Sequence, residues 1–275
     1  MAWTDDLKNT NLRTAVLSVI ADNKISYLEM LNLLRSAPTG GMTASKLSDL
    51  ELTYLNIQKI FESDYLRAIS YDVIYSNPAN ARWWGGVSSI SAATVLGDLT
   101  DTSSETSAQH LIDKWFLGVD WPVPVSGGDT ATGKASTGTY SYASFNGVLF
   151  INGAQATDIN QGRLGDCYLL AALGSIANAN ATYITNMFET SPNATDGIRF
   201  YNNGVATYVT VDNTLAFSSN GELSFAHGGT GSTNEMWVSL VEKGYTQLNA
   251  QFDVAARGTA WLGENSYQAI EGGWA

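Results

Sequence analysis

One cysteine stands in the 275-residue chain, Cys167, inside the stretch QGRLGDCYLLAAL from Gln161 to Leu173. A single thiol forms no internal disulfide, so it acts either as a nucleophile or as a small buried apolar side chain. Two glycines and an aspartate crowd in before it, and the apolar run Tyr168 to Leu173 follows. That order describes a loop turning sharply into a helix buried nearly all round, with the thiol at its first turn. A helix N-terminus favours the thiolate, the form that attacks. Gln161 lies upstream on the incoming loop, where its amide and the Cys167 N–H are candidates to stabilise an oxyanion. Asp166, beside the cysteine, reads as a residue that shapes the turn. Spacing alone leaves nucleophile and buried apolar thiol both open.

The elements around this stretch divide the chain. Before it, NLRTAVLSVIA and SYLEMLNLLRSA read as helices, with Ser26 and Glu29 at capping-box spacing. Leu47, Leu50, Tyr54, Ile57 and Phe61 recur at three- and four-residue steps and predict one long helix reaching Tyr75. Ala108, Leu111, Ile112, Trp115 and Phe116 make another stripe, with Gly118 placed to stop it. ADNKISYLE is superficially like half of a calcium-binding helix-loop-helix, but the leading carboxylates are absent and a plain helix-turn-helix is expected. Residues 126–144, SGGDTATGKASTGTYSYAS, are small, polar and aperiodic, which predicts a linker. Beyond them GVLFI reads as a strand. IRFYNNGVATYVTV reads as a hairpin turning at Asn203-Gly204, and SSNGELSFAH as a further strand. Trp237, Leu240, Val241, Tyr245 and Leu248 mark a last amphipathic helix.

Net charge is −12 with no basic cluster, which argues against nucleic acid or an anionic membrane as a partner. The N-terminus has neither the positive region nor the apolar run of an ordinary signal peptide, and no apolar run approaches membrane-spanning length. The compartment stays open between the cytoplasm and secretion by another route.

QGRLGDCYLLAAL resembles the active-site signature of calpain-type cysteine proteases, with Tyr168 where the family usually has Trp. LFINGAQATDIN, VDNTL, NGELSFAH, NEMWVSLVEKGYTQLN and YQAIEGGWA resemble, in order, further blocks of the family's first protease subdomain. The resemblance implies an α+β fold: a papain-like core subdomain over 145–275 with a buried Cys-bearing helix and a small antiparallel sheet. An unrelated helical region over 1–125 precedes it, as an inhibitory prodomain or a docking domain. It implies Cys167 as nucleophile and Gln161 as the oxyanion-hole side chain of a peptide-bond hydrolase acting on protein or peptide substrates. The base of that mechanism is a His oriented by an Asn. The chain has two histidines, His110 and His227. His110 lies outside the resembling part, and His227 falls where the family has a non-catalytic histidine. The resemblance places the catalytic His and Asn in a second protease subdomain, expected to begin about where this chain stops, so the chain alone is expected to be inactive.

The same resemblance implies a Ca²⁺ site at the Ile151 and Gly153 backbone oxygens, Asp158 and Glu235. Oxygen ligands with two carboxylates suit a hard cation. An ordinary loop acid at Asp158 and a helix-stabilising acid at Glu235 fit those residues as well. Two further classes stay in view, a catalytically silent binding module with the same fold and another papain-like thiol enzyme such as a transglutaminase. Retention of both Gln161 and Cys167 counts against the first, and the signature spacing with the NEMW block against the second.

Overall fold

A computed structural model describes residues 2–125, 140–229, 235–252 and 263–272. Most of the expected linker (126–139), the first residue of the NEMW block and the last three residues lie outside the described residues.

The first half is helical: α1 (Thr10–Val19), α2 (Tyr27–Ser36), α3 (Ala44–Ile57), α4 (Asp64–Ile74) and α5 (Glu105–Ile112). Ser26 and Glu29 form the expected capping box at the start of α2. The single helix expected from Leu47 to Tyr75 is two. Ser63 Oγ accepts the Leu66 N–H and starts α4 afresh, while Ile60 and Glu62 exchange backbone hydrogen bonds with Ile25. The apolar period runs on because both helices face one core; the cap and the bridge to Ile25 break the backbone. A short pair, β1 (Arg82–Trp83) and β2 (Thr94–Val95), crosses between α4 and α5. After α5 one π-helical turn, Asp113–Leu117, ends at Gly118 with φ 63°. A side chain at Gly118 would strike the backbone of Val211.

The second half carries β3 (Tyr140–Ser144), β4 (Ile159–Asn160), α6 (Cys167–Ala179), α7 (Ala181–Thr185), β5 (Phe188–Thr190), β6 (Asp196–Asn202), β7 (Val205–Val211), β8 (Thr214–Ser218), β9 (His227–Gly228) and α8 (Trp237–Ala250). Residues 140–144, expected to end the linker, are instead a strand paired along its whole length with β8. Tyr140 and Tyr142 alternate along it and pack on Phe225 and Trp121, a two-residue pattern masked in the sequence by the small polar run before it. GVLFI makes only an isolated bridge, Val148 to Glu235. The hairpin β6–β7 turns at Asn203 and Gly204, both with positive φ as expected.

The three-stranded sheet β5-β6-β7 is covered on both faces, and strand alternation decides which residue meets which neighbour. Ile198 and Val209, paired across β6 and β7, lie against Gly244 of α8. Gly197 and Thr210, the next pair, face the helices of the first half. There the Tyr65 hydroxyl meets Thr210 Oγ1 at 2.7 Å, Thr210 donates to the Trp115 carbonyl, and Tyr27 donates to the Phe116 carbonyl. Trp84, Trp115 and Phe116 are buried in this half. Among the described residues no helix is long and apolar enough to cross a membrane.

The contact at Gly197 is tight. A Cβ there would lie 2.6 Å from the buried Tyr65 ring. Gly197→Ala is expected to overpack this contact at a cost of about 1–3 kcal/mol, lowering the thermal midpoint by about 3–10 °C. A differential scanning measurement with an unchanged midpoint would mean that α4 does not press on the sheet at this point.

Candidate active site

The segment leading to Cys167 is strapped on two sides. Ile159 and Asn160 pair with Gly228 and His227. The Arg163 N–H then donates to the Ser224 carbonyl at 2.9 Å, and Gly272 N–H to the Gly165 carbonyl at 3.0 Å. Gly162 passes so close to the 225 backbone that a Cβ would lie 2.3 Å from the Phe225 carbonyl carbon. A glycine is therefore obligatory there for steric reasons alone. Leu164 is buried and pins the middle of the loop.

Cys167 is the first residue of α6 and is exposed. Behind it Leu169, Leu170, Leu173 and Ala177 are buried. The other face, with Ala171, Ala172, Ser175 and Ile176, is open. The apolar run therefore buries one face of the helix and not its full circumference. The Tyr168 hydroxyl donates to the Ile270 carbonyl at 2.9 Å, which fixes the first turn against the 263–272 segment.

Gln161 is exposed, and its Nε2–H donates to the Leu164 carbonyl within its own loop at 2.8 Å. His227 is half-buried on β9, opposite Asn160, with Nδ1 3.0 Å from the Phe225 carbonyl oxygen. His110 stacks on the Trp83 ring with centroids 4.3 Å apart, far back in the helical half of the fold. Among the described residues neither histidine hydrogen-bonds to Cys167.

Three of the four residues expected for a cation come together. Glu235 Oε1 accepts the Ile151 N–H at 2.6 Å. Asp158 Oδ2 accepts the Gln155 N–H at 2.6 Å and the Trp237 indole N–H at 3.0 Å. Burial pushes the Glu235 carboxyl up, and the negative charge of Asp158 adds to that shift. Asn152 and Gly153 both take positive φ, 59° and 86°, so the chain curls tightly between these acids. No group of three or more His, Cys, Asp or Glu side chains suited to a metal occurs among the described residues.

One residue of this site escapes sequence reasoning. Glu242 of α8 is buried, its Oε2 accepting the Ala226 N–H at 3.0 Å. Its carboxyl lies within hydrogen-bonding reach of Asp166, itself fully buried at the N-cap of α6. The only trace in the sequence is a charged Glu-Lys step following the apolar Leu240-Val241 of an amphipathic helix. Nothing in that step points towards the cysteine loop.

The two glycines of the loop separate packing from flexibility. Gly162→Ala is expected to cost about 1–3 kcal/mol, because the Phe225 backbone cannot move aside. Gly165→Ala, whose Cβ would meet nothing nearer than Glu271 Cγ at 4.0 Å, should stay within about 0.5 kcal/mol of the parent. Equal losses in urea denaturation would overturn the close approach at Gly162.

Comparison with known proteins agrees with this arrangement. Residues 141–267 match the calpain family cysteine protease domain. Calpain-8 of Mus musculus is 35% identical over 119 residues, covering 42% of this chain and 16% of that protein. The calpain-2 catalytic subunit of Gallus gallus is 38% identical over 117 residues, 40% of this chain and 16% of its own. The calpain-1 catalytic subunit of Bos taurus is 32% identical over 151 residues, 50% and 20%. The chain thus spans between 16% and 20% of the length of these curated relatives. Helices α1 to α5 lie before the family match. Residues 141–267, with Cys167 at the head of α6, belong to the calpain family of cysteine proteases.

Proposed function

We propose that this chain supplies the nucleophile half of a calpain-type cysteine endopeptidase acting on protein or peptide substrates. The observation that carries the reading is an exposed thiol at the first turn of a helix, on a loop of family-matching sequence that is braced on both sides. Cys167 Sγ, as thiolate, attacks the peptide carbonyl carbon. The developing oxyanion is held by the Cys167 N–H and the Gln161 amide, which requires Gln161 to exchange its bond to Leu164 for one to substrate. The general base and its orienting Asn come from a second protease subdomain. Both histidines here are engaged elsewhere, with the Phe225 carbonyl and the Trp83 ring. The open face of α6, with Ala171, Ala172 and Ile176 exposed, suits such a covering partner. Helices α1 to α5 act as a support for the sheet and not as a plug, since their bonds run to β7 and the turn before β6.

Two assays test this reading. The chain alone is expected to take up iodoacetamide at Cys167 yet leave casein uncut. Protein that includes a His/Asn subdomain should cleave casein, with Cys167→Ala abolishing cleavage and Gln161→Ala lowering kcat by about 10²–10³. Cleavage by the chain alone that survives His227→Ala but not Cys167→Ala would place the base elsewhere in these residues. Cleavage by the longer protein that survives Cys167→Ala would end the protease assignment and favour a binding module.

Calcium belongs to the same proposal. Asp158 and Glu235, with the Ile151 and Gly153 carbonyls, would hold the ion, whose charge would relieve the mutual repulsion of the two acids. Calcium chloride is expected to raise the thermal midpoint, with stabilisation of about 2.7 kcal/mol at a hundredfold excess over Kd. Asp158→Asn and Glu235→Gln should each remove the effect. A midpoint indifferent to calcium and to chelator would leave the two acids in their local roles.

A further inference from the structure

Under the cysteine turn lie two buried acids that the proposed reaction does not use. Asp166 is fully buried at the N-cap of α6, yet it does not cap the helix with its side chain. Its backbone carbonyl takes the Leu169 and Leu170 N–H groups instead, at 2.9 and 3.3 Å. Among the described residues neither Asp166 carboxyl oxygen has a donor, and neither does Glu242 Oε1. Among the described residues the Ser239 hydroxyl, one turn before Glu242 on α8, is also unpartnered, and a small, mostly apolar void lies against Ser239, Glu242 and Tyr267.

Two ionised carboxylates accept hydrogen bonds but cannot donate to one another. Buried side by side without a cation they would repel, at a cost no folded helix start carries cheaply. The surrounding charges offer no relief. Lys243, the next residue of α8, turns away to Asp212 and the Thr214 carbonyl. On the other sides stand tyrosines: Tyr267 from the segment after residue 263, Tyr142 from β3 and Tyr168 from α6 itself. The Tyr142 hydroxyl is committed to the Pro122 carbonyl at 2.6 Å, and that of Tyr168 to Ile270.

We propose that Asp166 and Glu242 share one proton at neutral pH, and that this proton clamps the turn carrying Cys167 to α8. The inference rests on the reading of Cys167 as the nucleophile, and it makes Asp166 and Glu242 positioning residues. The Glu242 carboxyl O–H donates to Asp166, so the pair carries one negative charge. At alkaline pH the proton leaves to solvent, a second charge appears beside the first, and the turn loosens. Burial raises both carboxyls, and the neighbouring Asp166 charge adds to it at Glu242, whose carboxyl stands well above its ordinary range. With folded values raised, stability from the pair is fully present below the ordinary carboxylate range and is lost as pH rises through the raised titration.

Glu242→Gln tests this directly, because the amide keeps a donor towards Asp166 but has no proton to lose. The thermal midpoint and the rate of iodoacetamide alkylation would be followed from pH 5 to pH 9.5 on the full chain, whose only thiol is Cys167. Asp72, whose carboxyl burial pushes up to about 7, slopes both proteins alike, so the difference between them isolates the pair. The expected result is a fall in midpoint with pH that is steeper in the parent than in Glu242→Gln. Alkylation of the parent should show a second alkaline inflection, absent from the variant, with neutral-pH rates within about twofold of each other. Asp166→Asn serves as the reciprocal variant, and should flatten the same slope if Glu242→Gln fails to fold. Identical slopes in parent and variants would overturn the shared proton. A parent midpoint that rises with pH and falls with chelator would overturn it too, in favour of a bound cation. A steeper parent slope with a single thiol inflection would overturn the positioning role. None of these readouts depends on peptide hydrolysis, so failure of the protease reading is recognised separately, by casein cleavage that ignores Cys167.

Discussion

Helix α8 is buried along most of its length, so the partners of its polar groups come from inside the protein. Gly244 lets it press on the sheet at Ile198 and Val209. Lys243 is held by Asp212 and the Thr214 carbonyl, so a buried cation ties α8 to the turn between β7 and β8. Glu242 holds the Ala226 N–H and faces Asp166. Trp237 donates to Asp158, and Asn249 to the Glu264 carbonyl. One helix therefore positions the acid loop, the strand beside the cysteine loop, and the N-cap of the cysteine helix. Losing a single partner would leave a buried polar group unpaired, which costs more than the contact itself contributes.

The sheet behind α8 has no free face. Its alternate residues serve two cores, Ile198 and Val209 towards α8 and Gly197 and Thr210 towards the helical half. A one-residue slip of β6 against β7 would exchange the two sets and bring a glycine to the α8 face. The hairpin turn at Asn203-Gly204 sets that register, and Tyr65 and Trp115 hold it from the other side. The second half of the chain thus draws on the first for its packing. This accounts physically for helices that lie outside the family match yet are built into the same fold.

At the site itself, order and exposure are unequally divided. The backbone leading into Cys167 is fixed by Gly162, Leu164 and the bonds to Ser224 and Gly272, whereas the thiol, Gln161 and one face of α6 remain open. A rigid loop holding reactive groups at an exposed edge suits chemistry completed by an approaching partner.

From the sequence alone one can read the residues whose meaning is local. The capping box at Ser26, the stop at Gly118, the hairpin turn at Asn203-Gly204 and the helix start at Cys167 follow from backbone preferences and apolar period. The signature around Cys167, with the ordered blocks after it, carries the family. What depended on distant partners was illegible. The break between α3 and α4 is set by Ser63 and by Ile25, a residue on another segment. Strand β3 has only two alternating tyrosines to announce it, and its pairing with β8 is what extends it over 140–144. The open face of α6 reflects which neighbours are present, which apolar content cannot reveal. Above all, Asp166 and Glu242 are far apart in the chain, and each alone looks like an ordinary acid. Only burial side by side makes their charges interact, because desolvation and proximity are properties of three-dimensional packing and leave no mark on residue order.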